Sequence, residues 1–363
     1  MKIILIAFTS IFVDYVSQLA NALSIDNELM VIFACSDLPA AARKKFNKRI
    51  QFKFIRKNSS INVWKNFSWP KSIKETIEEF NPNIIHLQNS NFRFTLLIPA
   101  IIKYPLVTTL HDVIPHQGED NIISRIKIQL ICMYSDIIIV HGKNLKKLLL
   151  KKYGDDTKVS VIPHGNMHQY NVNTQIIPRK NNILFFGRMF EYKGLSYLIK
   201  AEPYVSETIK NFEFVIAGKG EDLTKNKKYI VNNRHFVIHD EFLSESKMIK
   251  LFSQCSIVIL PYIEASQSGV VQLAYSFKKP VICTRVGALD EVVKNGKTGI
   301  LIEPKNSKQL ANAIIKLIKN PGLSKRMGEA GYVYAKNELS WEAISKKTLN
   351  AYKEAIHDKI PKK

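Results

Sequence analysis

Short apolar runs alternate with helix-period stretches along the whole chain, and no other feature narrows the fold as far. The first half offers strands at Lys2–Ala7, Leu29–Ala34, Gln51–Ile55, Ile84–Leu87, Leu106–Leu110, Ile137–Val140 and Val159–Ile162. The second offers Asn182–Phe186, Phe212–Ala217, His235–Ile238, Ile257–Leu260, Val281–Thr284 and Gly299–Ile302. Helical spacing separates many of them, as at Ile73–Phe80, Lys143–Lys152, Ser196–Val205 and Lys308–Ile318. Strands that read as continuous β-branched runs are buried on both faces, which parallel sheets covered by helices achieve. The fold class is therefore α/β. A chain of 363 residues exceeds one ordinary α/β domain and suits two of about 180 residues. Two Rossmann-like domains facing each other across a cleft are expected, over 1–170 and 178–340. The boundary falls in the polar stretch His168 to Asn182, which holds Pro178 and no periodicity. Trp341–Ala355 follows the last strand-helix unit with nothing left to pair with, so residues 341–363 are expected to cross back to the first domain. Lys359–Lys363 reads as a frayed basic end.

Hydrophobic residues make up 46% of the chain, enough for two cores, so disorder is excluded for most of its length. Lys2 followed by Ile3 to Val13 imitates a signal peptide. Val13, Val16, Leu19, Ala20 and Leu23 then recur at helical spacing, so strand, loop and amphipathic helix is the reading adopted. No run reaches the roughly 18 apolar residues that span a bilayer; Phe94 to Ile102 is broken by Pro99. A soluble or peripheral, cytoplasmic protein is expected. Cys35, Cys132, Cys255 and Cys283 are scattered without metal spacing and read as buried thiols of a reducing compartment. The formal charge is +22, with 22 basic against 13 acidic residues in 1–173 and 31 against 18 in the rest. An excess spread over both halves favours anionic partners such as nucleotide diphosphates or acidic headgroups. Clusters at Arg43-Lys44-Lys45 and Lys146-Lys147 suit a membrane surface. Nucleic acid binding would rest on charge alone, since no module for it is present.

Two strands run into loops built for chemistry. Asn182–Phe186 leads to Gly187, Arg188 and, five residues on, Lys193. The strand ending at Leu260 leads to Glu264-Ala265-Ser266-Gln267-Ser268-Gly269, with Val270 starting a helix. Strand ends and helix N-termini are where open α/β sheets bind anions. Two fixed cations there suit a diphosphate that must leave as an anion. Glu264 and the backbone N–H groups of Gln267, Ser268, Gly269 and Val270 complete the candidate. In the first half His111-Asp112 ends a strand. His86 and His164 read as structural. His164/His168 and His235/His239 are i, i+4 pairs without a third ligand, and Asp155-Asp156 reads as a turn, so no metal site is expected.

Gly187-Arg188…Lys193-Gly194 matches the G-R-x(4)-K-G motif of retaining glycosyltransferases of family 4, which have the two-domain GT-B fold. Phe214 to Glu221 resembles that family's strand-to-G-x-G turn. Pro280-Val281-Ile282, Gly287 to Val293 and Gly296 to Gly299 resemble its C-terminal landmarks. Ile84 to Asn89, Thr109 to Asp112 and Val161 to Gly165 resemble its first-half landmarks, and the six occur in the family's order over nearly the full length. Two positions depart: the second glutamate of the usual pair falls on Gln272 counting from Glu264, or on Leu273 counting back from Pro280, neither of them acidic, and Phe8-Thr9-Ser10 stands where many members have paired glycines.

The resemblance implies transfer of a sugar from a nucleotide diphosphate sugar with retention, without cofactor or bound metal. Arg188 and Lys193 would grip the diphosphate, Glu264 the sugar hydroxyls, and Gln272 the ribose. His111 would assist through its side chain or its carbonyl. The implied acceptor is a lipid-linked oligosaccharide of a bacterial surface polysaccharide, met at the cytoplasmic face of the inner membrane. The alternatives are a silent sugar-nucleotide-binding scaffold, or a GT-B epimerase or phosphorylase.

Overall fold

The structure, a computed structural model, describes residues 1–57, 68–113, 121–154, 157–166, 181–230 and 233–359. Most of the expected boundary, His168, and Asp155-Asp156 lie outside these residues. Among the described residues thirteen strands form: β1 (Lys2–Ala7), β2 (Glu28–Cys35), β3 (Gln51–Arg56), β4 (Ile84–Gln88), β5 (Leu106–Thr109), β6 (Ile137–Val140), β7 (Val159–Val161), β8 (Asn182–Phe186), β9 (Glu213–Ala217), β10 (Phe236–His239), β11 (Ile257–Leu260), β12 (Val281–Thr284) and β13 (Gly299–Ile302). Each coincides with an expected strand to within a residue at either end. Two sheets result, ordered β3-β2-β1-β4-β5-β6-β7 and β10-β9-β8-β11-β12-β13. All pairs among the described residues are parallel, for example Ile3↔Leu29 and Ile3↔Ile84 around the central β1. The architecture is that of two Rossmann-like α/β domains.

The period of two along a strand sends alternate side chains to opposite faces, and both faces of each sheet are filled. Ile3, Leu5 and Ala7 of β1 join one cluster with Val16 and Leu19 of the helix Val13–Leu23 and Tyr352 of the helix Trp341–Lys359. Ile4 and Ile6 join another with Ile73 and Ile77 of the helix Ser68–Phe80. Each fully buried Ile or Leu is worth about 1.5–3 kcal/mol relative to exposure. The second sheet repeats the plan, with Phe214 and Ile216 of β9 on one face and Val215 and Ala217 on the other.

The chain divides into two compact units, Met1–Gly165 with Trp341–Lys363, and Asn166–Ser340. The C-terminal helix thus belongs to the first unit, where Tyr352 and Ala355 are fully buried. The four cysteines are free and buried, and burial pushes the Cys132 and Cys255 thiols up to about 12. Among the described residues no helix is long and apolar enough to cross a membrane.

In each sheet the strand order reverses beside the central strand, between β1 and β4 and between β8 and β11. Ligands of open α/β sheets bind outside the carboxyl ends of strands at such points. The loops after β8 and β11 carry the candidate residues.

Candidate functional site

β8 ends at Phe186, and Gly187 follows with φ +127°, a conformation natural only to glycine. The chain then forms a short turn, Glu191–Lys193, closed by Gly194 at φ +73°. A Cβ on Gly194 would stand 2.0 Å from the Pro261 carbonyl oxygen, so only glycine lets the two loops touch. The Ile263 N–H donates to the Tyr192 carbonyl at 2.7 Å and locks them. The Gly218 turn lies equally close to Gly187, whose carbonyl oxygen would be 1.8 Å from an added Cβ.

Lys193 Nζ lies 3.8 Å from the centre of the Tyr262 ring. Tyr262 is fixed in turn. It is buried, its hydroxyl is 3.2 Å from Ser268 Oγ, and its carbonyl accepts from Thr284 Oγ1 at 2.6 Å. Ser268 caps the helix Gly269–Ser276, accepting from the Val270 N–H at 3.3 Å. The helix therefore starts at Gly269, one residue before the expected Val270. The Ala288 N–H holds the Ser266 carbonyl at 3.0 Å. Lys193 and the 266–270 turn accordingly form one continuous site with Tyr262 between them.

Arg188 is exposed, its guanidinium carbon 5.3 Å from the Phe190 ring centre, and Glu264 is exposed at the mouth of its loop. Gln267 and Gln272 each have a buried carbonyl oxygen without a hydrogen-bond partner. An unpaired buried acceptor costs about 1–3 kcal/mol, so a site with two of them is prepared for a donor, and hydroxyl groups are donors. Two cations, the N–H groups of the turn ahead of the helix and unpaired acceptors together fit an anion that also carries hydroxyls.

His111 lies in the first unit, 2% exposed and stacked on Phe12 with ring centres 4.1 Å apart. Its backbone N–H donates to Asn89 Oδ1 at 3.1 Å. Both ring nitrogens are engaged: Nε2 is 3.0 Å from Gln88 Oε1 and Nδ1 is 3.2 Å from His141 Nε2. Any contact of the imidazole nitrogens with a sugar would first break one of these bonds. His86 lies 2.6 Å from the Tyr352 hydroxyl and 2.7 Å from Thr109 Oγ1. Burial lowers His86 and His164 to about 3 and carries His111 well below its usual value. Sequence reading overlooked Gln88, His141, Tyr15 and Tyr352 in this cluster. A signal existed, since His111 and His141 each directly follow a strand on neighbouring sheet positions. His235, by contrast, pairs with Glu202 at 2.6 Å in the second unit.

The chain matches two family models: Glycosyltransferase Family 4 over residues 13–166 and Glycosyl transferases group 1 over residues 167–334. An uncharacterized glycosyltransferase of Methanocaldococcus jannaschii is 28% identical over 235 residues. That match spans 60% of this chain and 60% of the relative. Among solved structures, sucrose-phosphate synthase from Thermosynechococcus elongatus superposes with TM-score 0.77 at 16% identity, covering 99% of this chain and 100% of that one. The Anabaena protein HepE in complex with UDP gives TM-score 0.76 at 16% identity, covering 97% and 100%. Their likeness is one of fold. With the two models spanning residues 13–334 between them and this architecture beneath them, the chain belongs with the GT-B glycosyltransferases of the group 1 and family 4 type.

Proposed function

We propose that the chain transfers a sugar, with retention and without a metal, from a nucleotide diphosphate sugar to a hydroxyl group. The diphosphate sits on the second unit, held by Arg188, Lys193 and the N–H groups of Gln267, Ser268 and Gly269, next to Val270, whose N–H turns to the phosphate on release from the Ser268 cap. Negative charge growing on the leaving nucleotide is met by cations already in place, so no reorganisation is needed during reaction. Gly187 lets the backbone approach the phosphates. Glu264 accepts from sugar hydroxyls and Gln272 from the ribose. A donor phosphate oxygen takes the acceptor proton, and the protein's part is orientation and charge stabilisation. HepE, of the same fold, was solved with UDP. The first unit takes the acceptor, read here as a lipid-linked oligosaccharide of a surface polysaccharide. Its basic clusters hold the chain against an anionic cytoplasmic membrane surface.

The observation that carries this reading is the packing of Lys193 on Tyr262, which is itself tied to the Ser268 cap. A thermal-shift panel of UDP-, GDP- and ADP-sugars tests it. One nucleotide class should stabilise the wild type, and Lys193→Ala should largely abolish the shift. An equal shift in the variant would remove the site from this loop.

A silent scaffold is the second reading, because Gln272 replaces a glutamate of the family motif. Release of free nucleoside diphosphate together with sugar-labelled acceptor would exclude it.

A further inference from the structure

One polar cluster lies outside the donor site. Across the carboxyl ends of β4, β5 and β6 runs an unbroken line of side chains: Tyr352, His86, Gln88, His111, His141, ending on the Ile162 carbonyl. Its successive separations are 2.6, 3.1, 3.0, 3.2 and 2.9 Å. Each of these side chains is nearly or fully buried. Buried polar groups need complementary partners, so the direction of each hydrogen bond follows by counting protons.

A carbonyl only accepts, so His141 carries a proton on Nδ1 toward Ile162. A neutral His141 then has a lone pair at Nε2, and His111 must donate from Nδ1. A neutral His111 in turn has a lone pair at Nε2, facing Gln88. The amide points its carbonyl at that nitrogen and its NH2 at His86 Nε2. In this orientation His111 needs protons on both nitrogens, or His141 does, and one positive charge is shared by the two rings. A half-turn of the amide fills the same space and reverses it. The NH2 then donates to His111, the carbonyl accepts from His86 Nε2, and His86 Nδ1 accepts from Tyr352. Every ring is neutral, and all bonds point from Tyr352 toward Ile162.

The groups facing the line decide between the two. Tyr15 lies edge-on to His111, with ring centres 4.8 Å apart, and His164 faces His141 at 5.6 Å. The carboxylate of Asp112 acts favourably on a charged His141, whereas His86 and His164 act against charge on His111. Desolvation is the largest influence on all four histidines and favours the uncharged form.

We propose that Gln88 and His141 are positioning residues that hold His111 neutral, protonated on Nδ1 and flat against Phe12, and that charging this line requires the Gln88 amide to turn over. The gain for transfer rests on the function proposed above. The family resemblance gives His111 a part in transfer, where the glycosyl centre becomes cationic in an oxocarbenium-like transition state, and a neutral ring brings no opposing charge.

The test uses the full chain with histidine-selective 15N labelling and long-range 1H–15N correlation. His111 should show the neutral Nδ1–H pattern from pH 5.5 to 8. An Nε2–H tautomer, or an imidazolium at pH 7, would overturn the proposal. Gln88→Glu offers only acceptors when ionised, so it should convert the His111–His141 pair to the charged pattern. A pair that stays neutral counts against the amide's role. In the transfer assay His141→Leu should lower kcat about tenfold or more while donor KM changes less than about twofold. His141→Asn can accept from His111 and donate to Ile162, and should restore turnover to within about threefold of wild type. Equal loss in both variants, or no loss in His141→Leu, would refute positioning. Absence of transfer by the wild type with every nucleotide sugar would defeat the functional reading, while the tautomer spectrum would still decide the rest.

Discussion

Lowering the pH from 7 to 5.5 should selectively destabilise the first unit. His86, His111, His141 and His164 are enclosed there, and burial lowers all four: His86 and His164 to about 3, His111 well below its usual value, His141 in the same direction. In the unfolded chain each titrates near 6.5. The unfolded state therefore binds more protons between those values, and stability rises with pH across that window and is lost as pH falls below about 6.5. Over the step from pH 7 to 5.5 each histidine held neutral costs about 1 kcal/mol, so His86 and His164 together cost about 2–3 kcal/mol, and His111 and His141 act in the same direction. That is a large part of the roughly 5–15 kcal/mol by which a domain is stable. Few carboxylates titrate in this interval, since their usual values lie near 4. All three tryptophans (Trp64, Trp69 and Trp341) fall within the sequence of the first unit, so tryptophan fluorescence follows its unfolding alone. Urea titrations should show the midpoint falling by about 1 M or more between the two pH values. A midpoint that moves by less than about 0.5 M would show that these histidines are not held neutral in the fold.

Three further outcomes follow from single residues. Gly218→Ala should cost about 3 kcal/mol or more in urea unfolding, because its Cβ would meet the Gly187 carbonyl at 1.8 Å with φ at +145°; a loss under about 1 kcal/mol would mean that the turn gives way easily. Gln272→Glu places a carboxylate where the side chain is almost fully buried, so the free protein should melt lower. Nucleotide should restore more stability to it than to the wild type; an unchanged melting temperature would argue against an enclosed, unpaired position. Transferase turnover should be unaffected by a chelator, and loss that returned on adding a divalent cation would refute the fixed-cation account.

Much of the architecture was legible in the residues. β-branched runs such as Ile137–Val140 can be buried on both faces only within a covered sheet, and glycines at 194 and 218 mark contacts that no side chain allows. The loops after β8 and β11 were legible because strand ends, cations and a serine cap lie together in sequence. The histidine line was not. Its members come from positions 86, 88, 111, 141 and 352, brought together by strand order and by the return of the C-terminal helix, and no local spacing encodes that. Nor did sequence show that both nitrogens of His111 would be engaged, since its partners lie 23 and 30 residues away. The helix start at Gly269 differed from Val270 because Ser268, rather than Gly269, supplies the cap.

Calorimetric titration of the wild type and of Arg188→Ala/Lys193→Ala with UDP, GDP and ADP is the most direct test of the anion site on the second unit. The wild type should bind one of the three saturably, and the double variant should lose at least about tenfold in affinity, or 1.4 kcal/mol. Equal affinity in both proteins, or no binding of any nucleoside diphosphate by the wild type, would contradict the assignment of positions 188 and 193.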